Sequence, residues 1–434
     1  MNSAARAVTV FMRICYYINI TFQGDICMRD VIKKFGVNVL SFGGADESGD
    51  FSGCIQRAFD SGERFLFLPA GSYRVDRPLM IRSDTNFALD DDAVVTAGDG
   101  AMVKRGDFLL RNADIETGNE SIIVTGGTWD GNYRGNPKSD ILSDTGYSGT
   151  MLNFVNVHNL VLSDMTLRNS AAYFTRFAYL SEFLIENIRL SHDKNISNND
   201  GVHFCGFCQN GVVKNVCGVT KGTPNDDMIA LNADDMIERT ENRDLPNGYI
   251  RNLLIDEIYA ESCHCFVRLL SIKSDISNII IRNVRGGANV RAINGDAGRY
   301  CRTPIIDPKS PEYTRGVGYL KNIVFDGMSV AQEGATTLIQ EETNADNLTI
   351  YNYERPAGSG GGPTLHIRNI SPSSIKLYGL TQAQYEQLRS DSICEGIRTT
   401  KTVDGLYNLD VTTVYNDSLL LKEGGFAFFS QDKL

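Results

Sequence analysis

Seven copies of a short apolar pattern, each ending in Asp or Asn, recur through the middle of this chain. The steps between successive Asp/Asn residues are 23, 28, 41, 27, 43 and 26 residues. A near-constant step with occasional long insertions is typical of a solenoid, because each unit is too short to bury its own apolar face and must stack on its neighbours. The copies are Leu160–Asp164, Phe183–Asn187, Gly211–Asn215, Leu253–Asp256, Ile279–Asn283, Ile323–Asp326 and Leu348–Asn352.

The repeats predict an all-β chain folded as a single-stranded right-handed parallel β-helix of roughly ten turns. Ser52 to Ser61 has helical spacing of its apolar residues and predicts a short N-terminal helical cap. Apolar residues that alternate within the strand-like segments should point into the core. The residues expected there are Val202, Phe204, Ile229, Leu231, Ile255, Ile281 and Val324.

Three parts of the chain follow from this pattern. Residues 28–370 should form the β-helix, which carries the candidate catalytic residues, and residues 371–434 a C-terminal cap with a short helix over Thr381 to Ser390. Residues 1–27 are interpreted as an extension with Met28 as the start, and the alternative is a weak signal segment interrupted by Arg13.

Two polar inserts, Met236 to Gly248 and Asn294 to Gly318, interrupt the repeats. Both fall in the same region of the ladder. Long loops of a solenoid cluster on its binding face, so we expect both inserts to wall one groove.

Composition excludes several classes of partner. The net charge of −11 argues against a general nucleic-acid or membrane-surface binder, and no run of about 20 apolar residues exists. Cys205, Cys217 and Cys265 lie inside strand-like segments, which is typical of reduced core cysteines. Cytoplasmic localisation is therefore expected, or secretion if the N-terminal segment is a signal.

Several motifs resemble known families. Phe42 to Asp46, Cys54 to Ala58 and Leu68 to Tyr73 resemble the N-terminal segment of the pectate-lyase-like β-helix superfamily. More specific is the likeness of three further motifs to the polygalacturonase family of glycoside hydrolases. They are Gly126–Gly131, Asn198–Val202 and Asn225–Leu231.

This resemblance implies a right-handed β-helix that hydrolyses a galacturonide or rhamnosyl linkage of an oligo- or polysaccharide with inversion, without a cofactor or metal. The three carboxylates of the family would be Asp200, Asp226 and Asp227. One of them would be the general acid, and the other two would activate the attacking water.

Spacing supports the same grouping independently. Asp200 and Asp227 are 27 residues apart, close to one solenoid step, and each precedes a short strand. Stacked strands are about 4.8 Å apart, so the two carboxyls should be neighbours with Asp226 beside them. Crowded carboxylates raise the pKa of at least one member, which can then donate a proton. The alternative is that these residues only cap the corners of the coil.

His264 is a further catalytic candidate. It lies in Cys263-His264-Cys265, where the family has Gly-His-Gly with a histidine that positions a catalytic carboxylate. The alternative is a structural histidine.

Four residues are candidates for substrate binding. Arg291 resembles the arginine of the family's Arg-x-Lys element, although Ile293 occupies the lysine position, which weakens the case for polygalacturonate itself. Arg268 is a charge inside an apolar strand and should clamp a carboxylate. Asn198 belongs to the Asn-x-Asp-Gly element, and His203 alternates outward from its strand. Asp234 and Asp235, at the start of the first insert, are expected to form a solvated acidic loop, and the alternative is that they line one end of the cleft.

Three other functions remain open from the sequence. The acidic cluster with Arg268 or Arg291 permits a metal-dependent polysaccharide lyase. A non-catalytic carbohydrate-binding solenoid would use the acids only at its corners. A zinc site could be built from Cys205, Cys208, Cys263, His264 and Cys265.

Overall fold

The computed structural model describes residues 28–139, 148–235, 242–295, 317–334, 339–341, 343–368, 375–378, 383 and 393–395. Residues 1–27, residues 236–241 of the first insert, most of the second insert and nearly all of 381–390 lie outside these ranges. The extension, the C-terminal helix and the boundaries of the three parts therefore stay predictions.

Strands dominate the described chain. The helices are α1 (Met28–Phe35), a 3₁₀ helix (Val39–Phe42) and α2 (Ser52–Asp60). The strands are β1 Val37–Asn38, β2 Phe65–Leu68, β3 Gly71–Val75, β4 Leu79–Ile81, β5 Asn86–Leu89, β6 Ala93–Ala97, β7 Leu110–Asn112, β8 Asn119–Thr125, β9 Thr128–Asp130, β10 Leu152–Arg168, β11 Thr175–Ser191, β12 Val202–Phe204, β13 Cys208–Gly218, β14 Asp227–Asn232, β15 Ile250–Leu270, β16 Asp275–Gly295, β17 Val317–Gln332, β18 Ile339–Glu341, β19 Thr343–Glu354, β20 Leu365–Arg368, β21 Ile375–Tyr378 and β22 Ile393–Glu395.

Each turn of the chain pairs in parallel with the turn before and after it. Leu160 of β10 pairs with Phe183 of β11, which pairs with Gly211 of β13, which pairs with Leu253 of β15. Every ladder among the described strands is parallel. The chain is therefore mostly β and coils as a parallel solenoid. Right-handed coiling remains the expected sense, since parallel crossovers are right-handed in nearly all known sheets.

The core is one continuous column of apolar side chains inside the coil. Six of the seven predicted core residues belong to it: Val202, Phe204, Ile229, Leu231, Ile255 and Ile281. The prediction for Val324 was wrong by one position. Val324 pairs with Ile280, on the other side of the strand, and its neighbour Phe325 pairs with Ile281 and enters the core. Adjacent apolar residues hide the alternation there.

The Asp and Asn residues of the repeat mark a corner of the coil. Asp164, Asn187 and Asn215 have φ values of 55°, 55° and 52°, in the left-handed region that Asn and Asp tolerate better than other non-glycine residues. Asn187 Nδ2 donates to Asp164 Oδ1 at 2.8 Å, and Asn215 Nδ2 donates to Asn187 Oδ1 at 2.8 Å. The repeating residue therefore turns the chain and ties successive turns together.

Two anchors of the repeat are displaced by one residue. The left-handed corner residues are Glu257 (φ 57°) and Gly327 (φ 72°), and not Asp256 and Asp326. The carboxylates of the two aspartates still accept hydrogen bonds from the Asn of the following turn, at 2.8 Å from Asn283 and 2.7 Å from Asn352. A side chain beside the corner can thus replace one at the corner.

The N-terminal cap forms as predicted. Helix α2 places Cys54, Ile55, Ala58 and Phe59 into the core, where they cover the first turn. The Phe59 ring meets the Phe87 ring edge to face at 5.0 Å. Neither of the two α-helices in the described ranges has the length and apolarity needed to cross a bilayer.

Replacing Asn187 by Val should lower the free energy of unfolding by about 2 kcal/mol, because a β-branched residue is strained at positive φ and both ladder bonds are lost. Asn187→Gly loses the same bonds without the strain and should cost less. Guanidinium unfolding of the two variants measures the difference. Equal midpoints would show that corner conformation does not limit stability.

Candidate functional site

Two short strands place the first carboxylates. Val202 of β12 pairs with Ile229 of β14, and the Gly201 N–H donates to the Asp227 carbonyl oxygen at 2.9 Å. Asp200 and Asp227 each lie two residues before these paired positions, at equivalent places on adjacent turns. A Cβ at Gly201 would lie 2.6 Å from the Met228 carbonyl oxygen, so the Asp-Gly pair is required by the close approach of the turns.

Asp226, Asp227 and His264 converge at this corner. One carboxylate oxygen of each aspartate and a ring nitrogen of the histidine lie within 4.8 Å of one another. His264 Nδ1 is 3.3 Å from Asp226 Oδ1, and Asn198 Nδ2 is 3.5 Å from Asp226 Oδ2. The structure therefore brings His264 and Asn198 to the carboxylate that is most open to solvent, since the Asp226 side chain is 18% exposed.

Arginines follow on the next turns. Arg268 Nη1 lies 3.4 Å from Asp227 Oδ2, and Arg268 pairs along the ladder with Ala230 and Asn294, outside the core. Arg291 is part-exposed and pairs with Cys265, which pairs with Asp227. Ile293, at the family's lysine position, belongs to the core. Both arginines thus flank the acids, and the lysine has no outward replacement at that position.

The pKa of Asp227 is far above that of an ordinary aspartate. Burial, followed by the Asp226 charge, raises the pKa of Asp227 to about 7, and Arg268 opposes this rise only in part. The side chain is 2% exposed, and among the described residues Asp227 Oδ1 has no hydrogen-bond partner. Asp227 can therefore carry a proton at neutral pH on an oxygen that is free to donate it.

The other titratable groups shift for related reasons. Burial, then the Asp226 charge, raises the pKa of Asp200. Asp226 raises the pKa of His264, and burial offsets part of this effect. The cluster therefore combines two carboxyls of raised pKa with a histidine that favours its charged form beside Asp226.

His203 is buried beside Asp200. Its Nδ1 is 2.6 Å from Asp200 Oδ2, its Nε2 is 3.1 Å from Asp235 Oδ2, and the Tyr173 ring stacks on it at 4.2 Å. Burial alone would lower the pKa of His203, but the Cys205 sulfur and the two carboxylates raise it well above its usual value. Covered by Tyr173, His203 is thus a buried link between Asp200 and Asp235, and its substrate-binding role stays a prediction.

The prediction of a solvated acidic loop at Asp234 and Asp235 was wrong. Asp234 is fully buried, and its Oδ2 accepts hydrogen bonds from the backbone N–H groups of residues 272–274 at 2.6–2.7 Å. Asp235 accepts a hydrogen bond from Asn242 as well as from His203. Both carboxylates sit at the start of an insert, where sequence alone favours exposure.

The described part of the first insert, residues 242–248, does border this corner. Asn242 contacts Asp235, and Asp244 Oδ2 accepts a hydrogen bond from Arg176 Nη2 at 2.8 Å. Arg105 also binds Asp244. The second insert lies almost wholly outside the described residues, so its predicted place along the groove stays a prediction.

Sequence reasoning missed Lys138, Arg176 and Asp235. Lys138 Nζ contacts the Ser197 carbonyl oxygen and lies 3.5 Å from Asn198 Oδ1, and burial lowers its pKa against the pull of Asp226 and Asp200. Lys138 precedes Ser197 and Asn198 by some 60 residues, so no local sequence pattern indicates this contact. Arg176 had a usable signal, because it is a charge within an apolar strand, as Arg268 is.

The residues of the alternative zinc site do not form one group among the described residues. The potential metal-ligand groupings among the described residues are His203 with Cys205 and Asp235, and Asp226 with Asp227 and His264. Neither includes Cys208, Cys263 or Cys265, and the sulfur of Cys208 lies in the core.

Known proteins resemble this chain mainly in their fold. No family model matches the chain. A pre-neck appendage protein of Bacillus phage B103 is 38% identical over 106 residues, 24% of this chain and 12% of that protein, so the chain matches only a small part of the length of its curated relative. The adhesin PfbA of Streptococcus pneumoniae superposes with a TM-score of 0.52 at 14% identity, covering 83% of this chain and 94% of PfbA.

A family 28 exopolygalacturonase of Yersinia enterocolitica is also similar, with a TM-score of 0.45 at 15% identity over 79% of this chain and 71% of the enzyme. The structural neighbours thus include glycoside hydrolases as well as an adhesin. The likeness to PfbA supports the β-helix fold alone.

The raised pKa of Asp227 predicts a pH-dependent stability. The folded state holds a proton that the unfolded chain, with a carboxyl pKa near 3.8, releases, so stability falls as pH rises from about 4 to about 7. Between pH 5 and pH 8 this loss should be on the order of 2–3 kcal/mol. Asp227→Asn should lack that part of the decline, as measured by denaturant unfolding at both pH values.

The matched control is Asp164→Asn, at a corner on another side of the coil, where an amide oxygen can replace the acceptor. Burial, followed by the Asp164 charge, raises the pKa of Glu186, so the pH dependence of this variant should differ from that of the wild type only through Glu186, and the decline due to Asp227 should remain. A wild-type decline retained in full by Asp227→Asn would contradict the assignment of the buried proton.

Proposed function

We propose that this chain is a glycoside hydrolase that cleaves a galacturonide or rhamnosyl linkage of an oligo- or polysaccharide by an inverting acid/base mechanism. One observation carries the proposal: Asp227 is buried, has a pKa of about 7 and has an oxygen without a hydrogen-bond partner among the described residues. A carboxylic acid that keeps its proton at neutral pH is what a general acid requires.

In the proposed mechanism Asp227 protonates the glycosidic oxygen as the bond to the sugar breaks. Arg268, 3.4 Å away, then stabilises the carboxylate that forms. The buried Oδ1, which has no hydrogen-bond partner among the described residues, would carry the proton, while Oδ2 keeps the arginine contact.

Asp226 and Asp200 would orient and deprotonate the attacking water. Asp226 is the more exposed of the acids, so solvent reaches it, and His264 and Asn198 hold its orientation. An inverting enzyme needs roughly 6.5–9.5 Å between acid and base to seat the water. Residues on two adjacent turns can provide such a gap, and Asp200 lies on the turn before Asp227.

Substrate recognition would fall to Arg268 and Arg291, which are one turn apart on the outside of the coil. Two guanidinium groups can bind one sugar carboxylate. The loss of the lysine at Ile293 favours a substrate with fewer carboxylates than polygalacturonate, such as one that alternates with rhamnose.

Asp227→Asn should lower turnover of the best oligosaccharide substrate about 10² to 10⁴-fold and leave the Michaelis constant within a few-fold, because the acid acts in the transition state. The wild type should lose kcat/KM as pH rises through about 7, and the variant should not show this limb. Reducing-end release from galacturonide and rhamnogalacturonan oligosaccharides measures both.

Asp164→Asn is the control and should keep wild-type turnover. Wild-type activity in Asp227→Asn would exclude Asp227 as the acid. Absence of turnover on the whole panel by a folded wild type would favour a non-catalytic saccharide-binding solenoid, which the likeness to an adhesin makes the second candidate.

A further inference from the structure

A second surface with the character of a ligand site lies at the other end of the same short strands. Asp200 precedes β12, and Phe207 follows it three residues after Phe204. None of Asp200, Asp226, Asp227 and His264 is among the described residues that line the cavity at this end. This surface is therefore separate from the acidic corner.

Three aromatic rings stack along the coil at this end. The Tyr179 and Phe207 rings lie parallel, with centroids 4.8 Å apart and an interplanar angle of 6°, and Tyr249 meets Phe207 edge to face at 5.2 Å. The Arg251 guanidinium lies 4.0 Å from the Tyr249 ring. The far end of this aromatic stack is thus covered, and Tyr179 forms its open end.

The stack is held rigidly at a conformational cost. Tyr179 and Phe207 have φ values of 50° and 66°, a region that bulky residues rarely adopt. A Cβ on Gly248 would lie 2.6 Å from the Phe207 ring, so the backbone packs directly against that ring. At the equivalent corner one turn earlier, Asn156 has φ 59°, which suits its side chain far better. The aromatic at 179 is therefore not what the corner itself favours.

Tyr179 is 44% exposed and lines an open cavity of about 330 Å³. The same cavity is lined by polar side chains that can donate or accept hydrogen bonds, among them Asn119, Glu120, His158 and Ser181. His158 Nδ1 and Ser181 Oγ are 3.1 Å apart, which orders them as a pair. An aromatic face beside convergent polar groups is the arrangement that binds a small amphipathic ligand.

We propose that Tyr179 and this cavity form a binding site for a neutral pyranose of an oligosaccharide. The C–H face of the sugar would stack on the exposed Tyr179 ring, and its hydroxyls would bind Glu120, His158 and Ser181. Among the described residues that line the cavity there is no Lys or Arg, and Glu120 would repel a uronate, so the preference is for an uncharged sugar. The volume suits one or two sugar units.

Tyr179→Asn removes the ring but supplies a residue that favours the corner conformation, so the variant should fold at least as well as the wild type. Isothermal titration with neutral trisaccharides of glucose, galactose, mannose and rhamnose should show binding of at least one by the wild type. Tyr179→Asn should weaken that binding at least 10-fold, and Tyr179→Phe should keep it within a few-fold. Trigalacturonate should not bind at this site.

Tyr259→Asn is the matched control, because Tyr259 is 48% exposed on another part of the coil. It should bind as the wild type does. Equal affinity of Tyr179→Asn and the wild type, or no binding of any neutral trisaccharide, would overturn the proposal. So would a change of oligomeric state in Tyr179→Asn by light scattering without saccharide binding, which would mark an interface between copies.

Discussion

In-register parallel hydrogen bonding between successive turns is the constraint on which the rest of this structure depends. It fixes the spacing of equivalent residues at about 4.8 Å and makes every side-chain position a column along the coil. Asp200 stacks against Asp227 for this reason, as do the Asn residues of the corner ladder. A charged or hydrogen-bonding side chain therefore interacts directly with the equivalent side chain one turn away.

In the candidate site this stacking lowers the stability of the fold, because it brings acidic side chains close together. Asp200 and Asp227 are buried close to other acids, which raises the pKa of both. The surroundings hold them in place through a few charged contacts: His203 binds Asp200 and Asp235, and Arg268 binds Asp227. Buried groups of like charge are costly unless they are protonated or paired, so a cluster of this kind is more typical of a functional site than of a corner cap.

The sequence predicted the solenoid, the helical cap and the residues of the acidic corner, because repeat spacing and alternation are local signals. It did not predict what covers them. His203 alternates outward as expected, yet Tyr173 stacks on it and Asp200 and Asp235 bind it. Asp234 binds backbone N–H groups nearly 40 residues later, a contact that no local pattern indicates. The prediction for Val324 was wrong because Val324 and Phe325 are both apolar, and the sequence does not indicate which of the two faces inward.

The structure shows where the residues that depart from the polygalacturonase pattern lie. Cys265, at one of the Gly-His-Gly glycine positions, lies between Asp227 and Arg291 on the ladder, and Ile293 packs in the core. The acids and one arginine of the pattern are thus retained, while the second cation is replaced by an apolar contact. In the proposed hydrolase, this combination would change the choice of substrate while the proposed acid and base residues are kept.

The most direct test of the central claim is the anomeric configuration of the first product. Proton NMR of a galacturonide or rhamnogalacturonan oligosaccharide during wild-type turnover should show the new reducing end first in the configuration opposite to that of the cleaved bond. Formation of the retained anomer, or of an unsaturated sugar, would contradict inversion by water held between Asp227 and the acids beside it.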